Sequence, residues 1–130
     1  MTRQRLPNRR PHVTTARIWS SQNSSHLVEV TVGFDPDTGE PRECFANVPA
    51  GGMMQTTLSD ACVIISLALQ HDIKPSDLAK SLASVPAFLD GEEVVAPASP
   101  VGTIMEAIIE ASGQSAEDSM EEAEHGSARV

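Results

Sequence analysis

Between Val28 and Phe34 every second residue is apolar: Val28, Val30, Val32 and Phe34 share one side, with Glu29 and Thr31 on the other. A period of two is the signature of a strand with one buried face. It is flanked by turn-forming runs, Ser20-Ser21-Gln22-Asn23-Ser24-Ser25 before it and Asp35-Pro36-Asp37-Thr38-Gly39-Glu40-Pro41 after it. Alternation resumes beyond each run. Upstream, from Ala16, Ala16 and Ile18 point one way and Arg17 and Trp19 the other. Downstream, Cys44, Ala46 and Val48 alternate with Glu43, Phe45 and Asn47. Three strands joined by local turns predict an antiparallel meander.

After Pro49-Ala50-Gly51-Gly52 the period changes. Leu58, Ala61, Cys62, Ile65 and Leu69 recur at helical spacing, and Thr57 with Asp60 has the form of a capping box, so a central helix is expected over about 57–70. Pro75-Ser76-Asp77 opens a short second helix carrying Leu78 and Leu82, ended by Pro86. Ser99-Pro100 opens a third, with Val101, Ile104, Met105, Ile108 and Ile109 as its stripe and Gly113 as its stop. Strands first and helices afterwards give an α+β domain, a three-stranded antiparallel sheet covered by about three helices with flexible termini. The expected division is a basic arm over 1–13, the domain over 14–112 and an acidic, disordered tail over 113–130.

Composition narrows the function classes. The 130 residues carry a net charge of −9 and only 3% aromatics, which disfavours duplex nucleic acid as a partner and leaves little for base stacking. The charge is uneven: residues 1–17 hold five arginines and no acid, leaving −14 for the rest. There is no apolar leader, and the most apolar window, Leu58–Leu69, is twelve residues against the roughly 20 of a membrane span. The expectation is a cytoplasmic protein without a membrane partner. Cys44 and Cys62 lie in no CxxC pattern and read as buried core thiols.

Chemistry-bearing constellations are sparse. His12, His26, His71 and His125 lie at no metal-ligand spacing, and the acid pairs Asp35/Asp37, Glu92/Glu93 and Glu121/Glu122 are local. No catalytic residue and no metal site is assigned. The ligand candidates are the amides after Gly51 and Gly52, the hydroxyls of Thr56 and Thr57, and the arm residues Arg9 and Arg10, because a helix N-terminus and nearby guanidinium groups attract anions.

Several short segments then fall into a recognisable order: Leu6-Pro7-Asn8-Arg9-Arg10-Pro11, the P-x-E-x-F run Pro41–Phe45, the turn Asn47–Gly52, Ile64–His71, Leu78–Leu82 and Ala98–Ile108. From about residue 6 to 110 the chain resembles the TSCPD domain, which closes many cobalamin-dependent (class II) ribonucleotide reductases and also occurs as small free-standing proteins. The name-giving segment falls on Gly102-Thr103-Ile104-Met105-Glu106, with Ile104 at the cysteine position. Gly51-Gly52 replaces the Gly-Lys of the fused domains, and no C-terminal cysteine pair is present. The resemblance implies a non-catalytic accessory or regulatory module of ribonucleoside-diphosphate reductase, with adenosylcobalamin only by association and none held by this chain. Its expected partner is a protein, the reductase first, with homo-oligomers allowed. The rivals are a structural or interaction protein of phage origin that reuses the fold, a nucleotide-binding module, and an autonomous small enzyme, which the missing catalytic residues disfavour.

Overall fold

The structure is a computed structural model and describes Arg3, residues 10–21 and residues 23–126, with the backbone alone over 114–126. Its elements run β1 (His12–Ser20), β2 (Ser25–Phe34), β3 (Pro41–Asn47), α1 (Gly52–Gln70), α2 (Pro75–Ala79), β4 (Ser84–Leu89), β5 (Glu92–Pro97) and α3 (Pro100–Gly126). The first three strands form one antiparallel sheet in the order β1-β2-β3. The architecture is the α+β meander expected from the alternating segments.

Cross-strand partners share a face. Val28 pairs with Arg17, Val30 with Thr15 and Ala46, and Val32 with Val13 and Cys44, so these residues line the inner face. That face is packed by Leu58, Cys62, Ile65 and Leu69 of α1 and by Ile104, Met105 and Ile108 of α3. With so few aromatics, aliphatic and thiol side chains close most of the core, with Phe34 as its buried aromatic. Among the described residues no helix lies on the outer face: Ile18 is 70% exposed and Phe45 55%.

Five sequence expectations are corrected. β1 begins at His12 rather than Ala16, because His12 and Val13 continue its register against Gly33 and Val32. α1 begins at Gly52, before the Thr57/Asp60 pattern: Gly51 is its N-cap, with no side-chain cap bond. Gly51 and Gly52 both have φ +70, a left-handed conformation that turns the chain sharply from strand into helix. α2 is one turn, ending at Ala79, and Pro86 lies inside β4. The segment between α2 and α3 is a second, two-stranded sheet, β4–β5, turned at Asp90 and Gly91, both at positive φ. Gly113 does not stop α3: it lacks a positive φ and the helix runs on to Gly126.

Candidate functional site

The P-x-E-x-F segment forms most of β3, and its side chains alternate between two environments. Arg42 points inward and is 5% exposed. Its guanidinium donates to the Leu69 carbonyl at 2.8 Å and to Asp72 Oδ1 at 2.7 Å, a cation placed on the carbonyl end of α1. Asp35 and Glu40 lie 3.9 and 3.8 Å from the same group, so the site is already filled with carboxylates.

Glu43 points outward, yet it is buried. It lies across Gly33, where an added Cβ would fall 2.5 Å from Glu43 Oε2, so only glycine leaves room for the carboxylate. Arg10 forms an ion pair with it, and His12 Nε2 stands 3.6 Å away. The Glu43 carboxylate raises the Arg10 pKa through its hydrogen bond, against a smaller opposing effect of desolvation.

Cys44 returns to the core. Its amide donates to Ser66 Oγ at 3.0 Å, and its Sγ lies 3.8 Å from the Cys62 carbonyl. Both cysteines are free thiols. A separate side-chain hydrogen bond to the Cys62 thiol, and then burial, push the Cys44 thiol far above its ordinary range. Accepting that bond shifts Cys62 down against burial, which pushes it up. Neither is exposed to an electrophile, the condition for reactive thiol chemistry.

Phe45 faces outward again. With Ile18 and Leu27 it places three exposed apolar side chains on the open sheet face, among Thr14, Thr31, Glu29 and Asn47.

The anion candidates do not converge. The glycine turn follows the end of β3, whereas Arg10 meets β3 at Glu43; the four residues from Glu43 to Asn47 span about 13 Å of strand. Thr56 Oγ1 turns back to the Gly52 carbonyl at 3.5 Å, and Thr57 is exposed beside it. Arg9 lies outside the described residues. Arg3 bonds Gln70, and Arg17 pairs with Glu110, so the described arginines of the basic end are tied to the protein's own polar groups. Trp19 is committed too, donating from Nε1 to the Pro97 carbonyl at 3.3 Å and stacking on His26.

Sequence reasoning singled out neither the Arg10–Glu43–His12 cluster nor the apolar outer face. The register of β1 on β2 would have revealed both, by placing His12 beside Gly33 and Ile18 beside Leu27.

A shallow groove of about 150 Å³ lies between α2, β5 and α3, bordered by Leu82, Pro97 and Glu106. A second, of about 380 Å³, is an open depression on the β4–β5 hairpin. The first is below the ~300 Å³ of a small-molecule site. Among the described residues no three His, Cys, Asp or Glu side chains gather as metal ligands. α1 is long and apolar enough to cross a membrane, by length and composition; in this fold Leu58, Cys62, Ile65 and Leu69 are buried on its packed face.

A family model described as the TSCPD domain matches residues 1–112. No curated protein and no solved structure matches the chain. Within the matched region the segment Thr103-Ile104-Met105 is buried in the first turns of α3, with Ile104 fully enclosed.

Proposed function

Because this chain belongs to the TSCPD domain family, a domain related to ribonucleotide reductase, we propose that it is a non-catalytic accessory or regulatory module of that enzyme and works through protein contacts. The observation that carries this reading is the outer face of the sheet, uncovered among the described residues, where Ile18, Leu27 and Phe45 stand exposed on three paired strands. Exposed apolar side chains on a sheet face suit contact with another macromolecule; Ile18 and Leu27 stand side by side, and Phe45 lies about 13 Å further along the strands, beyond Glu29 and Asn47. Two further observations support it. The segment at the family's name-giving position is packed into the core, where Ile104 fills space rather than meeting a substrate. The phosphate candidates are separated along β3 or bonded internally.

The test is co-purification of the tagged chain with an adenosylcobalamin-dependent ribonucleotide reductase. Capture of the reductase by the wild-type chain, and its loss with Phe45→Asp at unchanged melting temperature, is the expected result. Capture that survives Phe45→Asp and Leu27→Asp removes the outer face from the reading. A chain that captures a different protein through that face supports the rival, an interaction protein reusing the fold.

A further inference from the structure

The two edges of the three-stranded sheet are treated differently. On β3 the outward backbone groups are those of Arg42, Cys44, Ala46 and, just past the strand, Val48, and side chains of α1 bond at least one group of each. Gln70 Nε2 donates to the Arg42 carbonyl at 3.0 Å, and Ser66 Oγ accepts from the Cys44 amide at 3.0 Å. Gln55 donates to the Ala46 carbonyl at 2.9 Å and accepts from the Val48 amide at 2.6 Å. That edge is closed to another strand.

Among the described residues the β1 edge has no such cover. The Phe34 amide donates to the Pro11 carbonyl at 3.0 Å, which sets the phase of the ladder. Odd-numbered residues of β1 bond β2, and the amides and carbonyls of His12, Thr14, Ala16, Ile18 and Ser20 point away from the sheet. Among the described residues, no backbone–backbone bond reaches those groups. Most of the devices that usually blunt an edge are missing, and the one present, an inward-pointing charge, is neutralised within the chain. β1 contains no proline or lysine, its nine pairs with β2 run without a bulge, and its one charge, Arg17, is on the inner face, paired with Glu110. The N-terminal arm does not cover this edge at its described positions, because Arg3 and Arg10 bond Gln70 and Glu43 on the opposite side of the sheet.

We propose that the β1 edge pairs with β1 of a second copy of this chain, antiparallel about a two-fold axis at Ala16, joining two sheets into one of six strands. This register gives the full nine-residue overlap and sets outward groups against outward groups. Ala16 meets Ala16, Thr14 meets Ile18, Val13 meets Trp19, and Arg17 meets Thr15, so no like charges stand directly opposite. An isologous contact of this kind needs only one self-complementary strand. Two chains of net charge −9 repel each other overall, and a strand that holds no acid adds no local repulsion at the contact. The pairing uses the strand edge and leaves the outer face open to the partner proposed above.

The test is mass measurement by light scattering at about 100 µM, with variants at the axis. The wild-type chain is expected at twice 13.8 kDa. Ala16→Pro removes an outward amide and no ladder bond, and proline is tolerated at such edge positions; it is expected at half that mass. Ala16→Lys places lysine beside Glu29 within the chain and against its own twin across the axis, and is also expected to be monomeric. Should Ala16→Pro fail to fold, Ala16→Lys carries the test. Under mild oxidation Ala16→Cys is expected to cross-link. Ile18→Cys, whose twin lies about 13 Å away along the strands, is not. A monomeric wild-type chain overturns the proposal, as does a dimer that persists in well-folded Ala16→Lys or cross-links equally at residue 18.

Discussion

Arg42 and Glu43 are adjacent, oppositely charged and both nearly buried, yet neither neutralises the other. The alternation of β3 sends the guanidinium to the end of α1 and the carboxylate to Arg10 across Gly33. Space at Gly33 is therefore a requirement of the ion pair. Gly33→Ala should displace the whole Glu43 side chain and cost about 1–3 kcal/mol, as overpacking does, measured by urea unfolding. Ile65 is the simpler case: it is buried between α1 and the sheet, and Ile65→Ala should cost about 2–5 kcal/mol. An unchanged melting temperature would contradict that placement. Cys44 and Cys62 should react slowly with a thiol reagent in the native chain and quickly once it is denatured, because both sulfurs are enclosed and Cys44 is held protonated.

The pairing of α1 with β3 is the best-specified contact between elements. Polar side chains of a helix complete the hydrogen bonding of a strand. Ser66→Ala should leave the Cys44 amide without its acceptor and cost about 1–3 kcal/mol, far more than the loss of an exposed hydroxyl; thermal unfolding of the variant measures it. Such contacts explain what the sequence made legible. The meander could be read because Val28, Val30, Val32 and Phe34 repeat with a period no helix shares, and Leu58, Cys62, Ile65 and Leu69 marked the packed side of α1. The roles of Ser66, Gln55 and Gln70 could not, since they depend on which edge α1 lies along. The β4–β5 hairpin was legible in principle: Asp90-Gly91 between Phe88-Leu89 and Val94-Val95 is a strong two-residue turn signal. Pro86, read as a helix terminator, obscured it; in a two-stranded sheet proline can face away from its partner. The phosphate candidates were chosen from residue types alone, and only the third dimension shows that Arg10 has a carboxylate beside it.

For the whole molecule, charge and geometry together set what it should bind. A helix N-terminus offers an anion about 0.3–2 kcal/mol, against the roughly 8 kcal/mol of micromolar affinity. Arg10 and Trp19 are already engaged elsewhere. Calorimetry with ribo- and deoxyribonucleotides should therefore show no micromolar binding, and any weak heat should fade as salt is added. A salt-resistant micromolar isotherm would return the Gly51-Gly52 turn to consideration as a ligand site. The sealed edge of β3 also has a bearing on how the molecule comes apart. The Cys44 and Val48 amides are held by Ser66 and Gln55, so they cannot meet solvent until α1 lifts away. Strand and helix should open as one cooperative unit. In native-state hydrogen exchange those two amides should share the protection of the α1 interior. The outward amides of Thr14, Ala16 and Ile18 should exchange within the dead time in dilute protein and slow as the concentration rises.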